Sequence, residues 1–362
     1  MKTNHIRSTA AIFLMAAGLT SATNAVAHDV VAPCWRGQAG ATYQEWDFLS
    51  SANPASPTIV TNGYGNPQAS ITGIDDYFAT WPNSTNLGWW GLFPAGSIAL
   101  NIPNQSSPPA NSSKLIWVQV AQLIGGLTPN YCTVSIPGAT YLGGERRSVE
   151  TVPPFSTLYV DQTMWRLEPC PTSETVTVTA VSSALIDQIV IETYTPPVAN
   201  TNNLGRARDT AMKIPIADLT ADDVDPGSGT IVLAGINLTT TNGVTLVTNA
   251  TTIFYTNAAN VNDQFTYTIS NGDCGTIVGY VNITVTNGLG VVIVPTATGT
   301  EVTLTFYGIP GHKYIVQRSA NLVDWVDASG ELTAPSSPPN IGLVQYTETP
   351  PTNPAYYRIR QP

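Results

Sequence analysis

Charge is scarce in this sequence. Only 10% of its 362 residues are charged, and the balance is acidic, with 14 Lys and Arg against 24 Asp and Glu. Phosphate binding needs clustered cations, so nucleic acid is excluded as a partner. Histidine is scarcer still, at three residues. His312, in "IPGHKY", falls in a turn of the last segment and reads as exposed rather than catalytic. Gly-x-Ser-x-Gly, His-Glu-x-x-His and phosphate-loop motifs are absent, and the chain reads as a non-enzyme. Asp75-Asp76 and Asp222-Asp223 read as turn residues rather than an acid pair. None of the four cysteines (Cys34, Cys132, Cys170, Cys274) forms a C-x-x-C spacing, which argues against zinc. No apolar run beyond the first 27 residues is long enough to cross a bilayer, so membrane insertion is not expected. No stretch keeps a 3.6-residue apolar period over three turns, so long helices are not expected either.

What is there begins with a leader. Lys2 and Arg7 precede the apolar "AAIFLMAAGLT", and "AVA" puts small residues before His28. That is a secretory signal peptide over 1–27, which predicts a secreted, extracellular or cell-surface bacterial protein beginning at His28. Export permits disulfides. Their pairing is open from sequence, and Cys274, alone in its segment, reads as a free buried thiol.

The rest reads as strand. "TVTVTAV" (175–181), "TIVLAGINL" (230–238), "QFTYTIS" (264–270) and "EVTLTFYG" (301–308) alternate or are β-branched, with Gly and Pro between them. "TYTPPVANTNN" (193–203) and "VTNGLG" (285–290) mark linkers. The predicted architecture is all-β: a jelly-roll β-sandwich over 28–196 and two smaller immunoglobulin/fibronectin-like sandwiches over 197–286 and 287–362. In the second, Asn242-Gly243 predicts a type I′ hairpin. In the third, strands are expected at "GVVIV", "VTLTFY", "KYIVQRS", "DWVDA", "VQYTE" and "AYYRIR".

Parity assigns faces in the first segment. Trp46 and Phe48 share one side, Glu45 and Asp47 the other. Trp165 and Leu167 share a face, and Trp46 and Trp165 are expected in the core. "LIWVQVA" (115–121) is apolar on both faces and reads as a central strand. Asp187 falls with Leu185, Ile189 and Ile191 on an apolar face, where a carboxylate needs a partner. One reading is a backbone-bonded aspartate. The other is a structural calcium site built from Asp187 with Glu45 or Asp47 of the first strand. "NLGWWGLFPAG" (86–96) holds Trp89 and Trp90, and Trp81 precedes it. One neighbour of the pair is expected in the core, and the other beside Trp81 on an exposed rim, where rings stack on sugar C–H faces.

Three parts of the chain carry four resemblances. "PCWRG…YQEWDF", "IWVQV", "IPGATYLGG", "WRLEP" and "IDQIVIETY", across 33–194, resemble secreted, poorly characterised bacterial proteins of planctomycete and verrucomicrobial type. "IDQIVIET" also resembles the final strand of jelly-roll carbohydrate-binding modules, whose structural calcium motivates the site above. "ADDVDPGSG" and "DQFTYTISNG" resemble cadherin-like tandem domains of bacterial surface proteins. "YIVQRS", "NLVDW" and "YYRI" resemble a fibronectin-like C-terminal module of exported proteins. The expected function is non-catalytic adhesion or extracellular scaffolding, with self-association or a cell-surface polymer as partner. The alternative is carbohydrate binding by the first sandwich, with a polysaccharide as ligand.

Overall fold

The computed structural model describes residues 31–78, 88–125, 131–152, 156–272, 274, 276–286, 301–351 and 355–362. The expected leader over 1–27, His28, Trp81 and the whole of "GVVIV" lie outside the described residues. The fold is all-β. The chain divides into two compact units, one reaching to Val198 and including Val224–Thr230 and Ser270–Gly275, the other made of the remainder.

Among the described residues the first unit holds ten strands: β1 (Thr42–Trp46), β2 (Ile59–Thr61), β3 (Gln68–Phe78), β4 (Trp89–Pro103), β5 (Lys114–Gly125), β6 (Thr133–Ser135), β7 (Thr140–Val152), β8 (Ser156–Leu167), β9 (Ser173–Thr179) and β10 (Ala184–Tyr194). Hydrogen bonding runs β6-β9-β4-β10-β5-β8-β7, with β1 on β10, β2 on β1 and β3 on β4. The long β4 forks. One of its edges follows β3, while the other serves β10 over Trp90–Leu92 and β9 over Ser97–Pro103. Around it packs a core of Trp46, Trp90, Leu100, Val118, Val176 and Ile189 with their neighbours. β5 lies between β10 and β8 and is buried on both faces, because Trp117 and Leu123 face two further apolar clusters. Trp46 is fully buried, whereas Trp165 is half-buried at the core's margin.

Three expectations for this unit are corrected. Asp75 and Asp76 do not form a turn. They lie in β3, where the pairing with β4 slips between Ile74 and Asp76. Asp187 does not share a face with Leu185, Ile189 and Ile191 by simple alternation. The β10–β5 register shifts between Ile186 and Gln188, so Asp187 is the extra residue of a bulge and parity reverses across it. Leu185 therefore packs with Trp89 and Leu123, and Ile189 with the main core. Cys274 is not free: it is disulfide-bonded to Cys34, Cα to Cα 5.8 Å, while Cys132 and Cys170 are free and buried.

The segment bearing Cys274 belongs to the first unit. Asn271 Nδ2 donates to Tyr194 Oη at 2.8 Å and to Asp225 Oδ2 at 3.0 Å. Gly40 (φ +76°) meets Gly227 so closely that a Cβ on Gly40 would sit 2.5 Å from the Gly227 Cα. Only paired glycines permit that approach.

In the second unit, β11 (Asn202–Ala207), β12 (Met212–Pro215), the short α1 (Ile216–Leu219), β13 (Val232–Ile236), β14 (Val247–Thr248), β15 (Thr252–Tyr255), β16 (Asp263–Ser270) and β17 (Ile277–Thr286) come first. They form a sheet β11-β17-β16-β13, in which β11 and β17 are parallel, and a sheet β12-β15-β14. β16 alternates buried and half-buried residues along its whole length, and Phe265, Tyr267 and Ile269 enter the core. The Asn242-Gly243 turn is not type I′. Gly243 alone has positive φ (+77°), and the Gly243 amide bonds the Thr240 carbonyl. The Asp263 carboxylate sets this shape by accepting from Thr240 Oγ1 (2.7 Å), Thr241 Oγ1 (3.0 Å) and the Asn242 amide (3.1 Å).

The strands that follow are β18 (Val302–Tyr307), β19 (Lys313–Ser319), β20 (Val326–Asp327), β21 (Leu332–Thr333), β22 (Leu343–Glu348) and β23 (Tyr356–Arg360). β18 pairs β22, and β19 pairs β20, β21 and β23, over a core of Leu304, Phe306, Tyr314, Val316 and Tyr357. β21 was not among the strands expected from the sequence. No helix among the described residues is long and apolar enough to cross a membrane.

Candidate functional site

The β7–β8 hairpin builds a notch on the first unit. Antiparallel pairing sets Tyr141 opposite Trp165, Gly144 opposite Thr163 and Arg146 opposite Asp161. A bulge between Tyr141 and Gly143 keeps these three pairs neighbours in space. Tyr141 is 53% exposed and meets Trp165 edge-on, with ring centroids 5.0 Å apart. The Trp165 indole N–H is satisfied by Thr163 Oγ1 at 3.0 Å. Gly144 leaves the floor open, since a Cβ there would lie 2.4 Å from the Gln162 carbonyl oxygen and 2.8 Å from Tyr141 Oη.

Charge at the notch is fixed by Asp161. Arg146 grips both its oxygens, Nη2 to Oδ2 at 2.7 Å and Nε to Oδ1. Gln122 Nε2 also donates to Oδ2, at 2.6 Å, and Gln122 Oε1 accepts the Cys132 amide at 2.9 Å. The Arg146 guanidinium lies 3.3 Å from the centre of the Tyr131 ring, and Tyr131 in turn meets Tyr159 edge-on at 5.1 Å. A bidentate pair backed by a cation–π contact holds the guanidinium in one plane. The cavity measures about 230 Å³ and is lined by Cys132, Val134, Tyr141, Arg146, Asp161 and Thr163 among others. Burial, and then the Asp161 charge, push the Cys132 thiol up to about 12. It is therefore protonated at neutral pH and is not a nucleophile. The notch presents an exposed ring, a fixed cation and a buried carboxylate, which suits gripping a polar ligand with an apolar face.

The residues expected to bind are placed elsewhere. Trp89 and Trp90 point to opposite faces of β4, as parity requires, but neither reaches a rim: they are 2% and 3% exposed. Trp90 packs in the main core against Tyr77, and Trp89 against Leu123 and Leu158. The expectation of one exposed ring is corrected because β4 is covered on both faces. Trp81 lies outside the described residues. Glu45 and Asp47 share a face and a partner: Gln188 Nε2 donates to Glu45 Oε1 at 2.9 Å and to Asp47 Oδ1 at 2.8 Å. Asp187 is buried at the neighbouring bulge. Among the described residues, no three or more His, Cys, Asp or Glu side chains form a group that could hold a metal ion. His312 Nδ1 lies 3.2 Å from Gln361 Nε2. Asp223 accepts Tyr267 Oη at 2.9 Å and the Asn200 amide at 2.8 Å, bracing a turn.

Sequence reading missed Tyr141, Arg146 and Asp161. The signal was "TYLGGERR" set against "DQTMWRL" as a hairpin, but only the bulged register brings Tyr141 to Trp165 and Arg146 to Asp161.

Comparison with known proteins adds the following. No curated protein sequence matches the chain. Dimeric latent PorU from Porphyromonas gingivalis is similar at 11% identity and a TM-score of 0.20, over 89% of this chain and 32% of that one. The M60 catalytic domain with the CBM51-1 and CBM51-2 domains of ZmpB, from Clostridium perfringens, is similar at 7% identity and a TM-score of 0.17, over 87% of this chain and 36% of that one. The chain thus spans about a third of the length of these structures, and scores this low carry no argument. A family match is more local and more definite: residues 194–284, which take in β11 to β16 and most of β17, match the bacterial Ig domain.

Proposed function

We propose that this chain is a non-catalytic, multi-domain β protein that works outside the cell, in adhesion or as a surface scaffold. The observation that carries this reading is the bacterial Ig match over 194–284, a stretch that includes Cys274, disulfide-bonded to Cys34. Disulfides persist in oxidising compartments, which agrees with the leader and with a role beyond the cytoplasm. The test is to coat beads with the full exported chain and measure their attachment to bacterial cell envelopes, to extracellular polymers and to each other. Retention above that of uncoated beads is expected. Absence of retention on all three, together with an intracellular chain still carrying Met1, would sink the reading.

A second reading is polysaccharide binding, and the notch favours it. Tyr141 offers a ring face to sugar C–H groups, while Arg146 and Asp161 offer a donor and an acceptor to hydroxyls. A glycan array with wild type and Tyr141→Ala tests it. Binding that Tyr141→Ala reduces supports it, whereas an array blank for wild type leaves adhesion through protein contacts.

A further inference from the structure

A second polar cluster is buried in the first unit. Lys114 opens β5 and is 1% exposed. Asn104, just beyond β4, and Glu174, near the start of β9, are 4% and 5% exposed. Register holds them in place: Glu174 pairs with Ile102, and the Asn104 amide bonds the Thr172 carbonyl at 3.0 Å. The Asn104 side chain sits between the other two. Lys114 Nζ donates to Asn104 Oδ1, and Asn104 Nδ2 donates to Glu174 Oε2. Asn104 Nδ2 also reaches the Pro171 carbonyl at 3.1 Å. The remaining Glu174 oxygen, Oε1, is buried and has no hydrogen-bond partner among the described residues.

Such a cluster is costly if its only task is packing. Buried charges need full pairing, and a bare carboxylate oxygen is not paired. We propose that Lys114 and Asn104 become joined by an intramolecular isopeptide bond, with Glu174 as the proton carrier. Three requirements of that chemistry are met by position. The amine abuts the carboxamide it must attack, the acid abuts the amide nitrogen that must leave, and water is excluded. Burial pulls the Lys114 ammonium down, against the opposing pull of Glu174, and pushes the Glu174 carboxyl up, against that of Lys114. The pair is thereby biased towards neutral amine and neutral acid.

The step balances without any oxidant or co-reactant. The Nζ lone pair attacks Cγ of Asn104, giving a tetrahedral centre with a cationic Nζ and an anionic Oδ1. Glu174 passes its proton to Nδ2 and, as carboxylate, takes one from Nζ. The Cγ–Nδ2 bond breaks, ammonia leaves with that electron pair, and Oδ1 re-forms the carbonyl. One amine and one carboxamide become a secondary amide and ammonia, and Glu174 ends protonated as it began. The product links β5 to the end of β4, two strands that share no backbone pairing.

Mass spectrometry of the reduced, denatured full-length exported chain tests this directly. The linked protein weighs less than its sequence by one ammonia. Trypsin needs a free lysine, so it fails at Lys114 and yields one peptide spanning residues 37–146, also lighter by one ammonia. Glu174→Gln should restore the sequence mass and cleavage after Lys114, with its circular dichroism spectrum retained. A wild-type chain of sequence mass that is cleaved after Lys114 overturns the proposal without recourse to any variant. A Glu174→Gln chain as fully linked as wild type overturns the role given to Glu174.

Discussion

Arg318 spans both carboxylate oxygens of Glu348, Nη1 lying 2.7 Å from Oε1 and 2.6 Å from Oε2. Tyr357 Oη donates to Oε1 at 2.8 Å and Tyr346 Oη to Oε2 at 2.7 Å. Burial alone would raise this carboxyl, but Arg318 and the two phenols outweigh it and hold Glu348 below the usual range. A carboxyl depressed by folding contributes stability that is fully present above its unfolded pKa and lost as pH falls through the folded one. The melting temperature of the C-terminal strands should therefore drop as pH falls below about 4.3. Glu348→Gln should melt lower at neutral pH and lose part of that acid dependence. An unchanged pH profile in Glu348→Gln would remove Glu348 as the source.

Trp89 and Trp90 are buried in different clusters, so their losses should be separately costly. Trp89→Ala and Trp90→Ala are each expected to destabilise by about 3–5 kcal/mol in denaturant titrations. A cost within about 0.5 kcal/mol at either position, the ordinary range for surface changes, would contradict the packing described for that ring.

Arg206 is fully buried and serves as a backbone clamp. Its Nη1 donates to the carbonyls of Thr210 (2.7 Å) and Asn257 (2.9 Å), and its Nη2 to that of Ala259 (2.8 Å). Arg206→Met leaves three carbonyls unpaired at about 1–3 kcal/mol for each one that stays buried. A loss of at least about 3 kcal/mol is expected, and Lys should not rescue it, because a single ammonium lacks the planar fork. Amide exchange at 207–210 should quicken. Rescue by Lys would show that charge alone matters here.

Breaking the Cys34–Cys274 bond should cost about 2–5 kcal/mol, at the upper end because the closed loop is long. Wild type with reductant and Cys34→Ser without it should melt alike, and reductant should not lower Cys34→Ser further. Indifference of wild type to reductant would mean that the bond adds nothing to stability.

The all-β class was legible because alternation needs only local sequence. "DQFTYTIS" buries every second residue, as its pattern says. The bulge at Asp187 was not legible, since "LIDQIV" has neither Gly nor Pro to mark an extra residue, and parity counted across it inverts. For Trp89 and Trp90, alternation gave the two faces, but Leu123 and Leu158, which cover the second ring, come from distant strands. The notch was hidden for the same reason: Arg146 and Asp161 are ordinary surface types until register pairs them. Cys274 looked solitary because its partner lies 240 residues away in sequence.

That same bond decides how the protein carries a load. A pull applied upstream of Cys34 and downstream of Cys274 passes through the bridge and bypasses the 240-residue span between them. The backbone of β1 to β10 need not bear tension, so these strands can be tuned for contact rather than for toughness, whereas β11 and β16 flank the loaded β17. A cut in any loop between the two cysteines likewise leaves the ends tethered. Extension under force is confined to what lies outside the bridge, where β17 to β23 are the described strands that have to resist it.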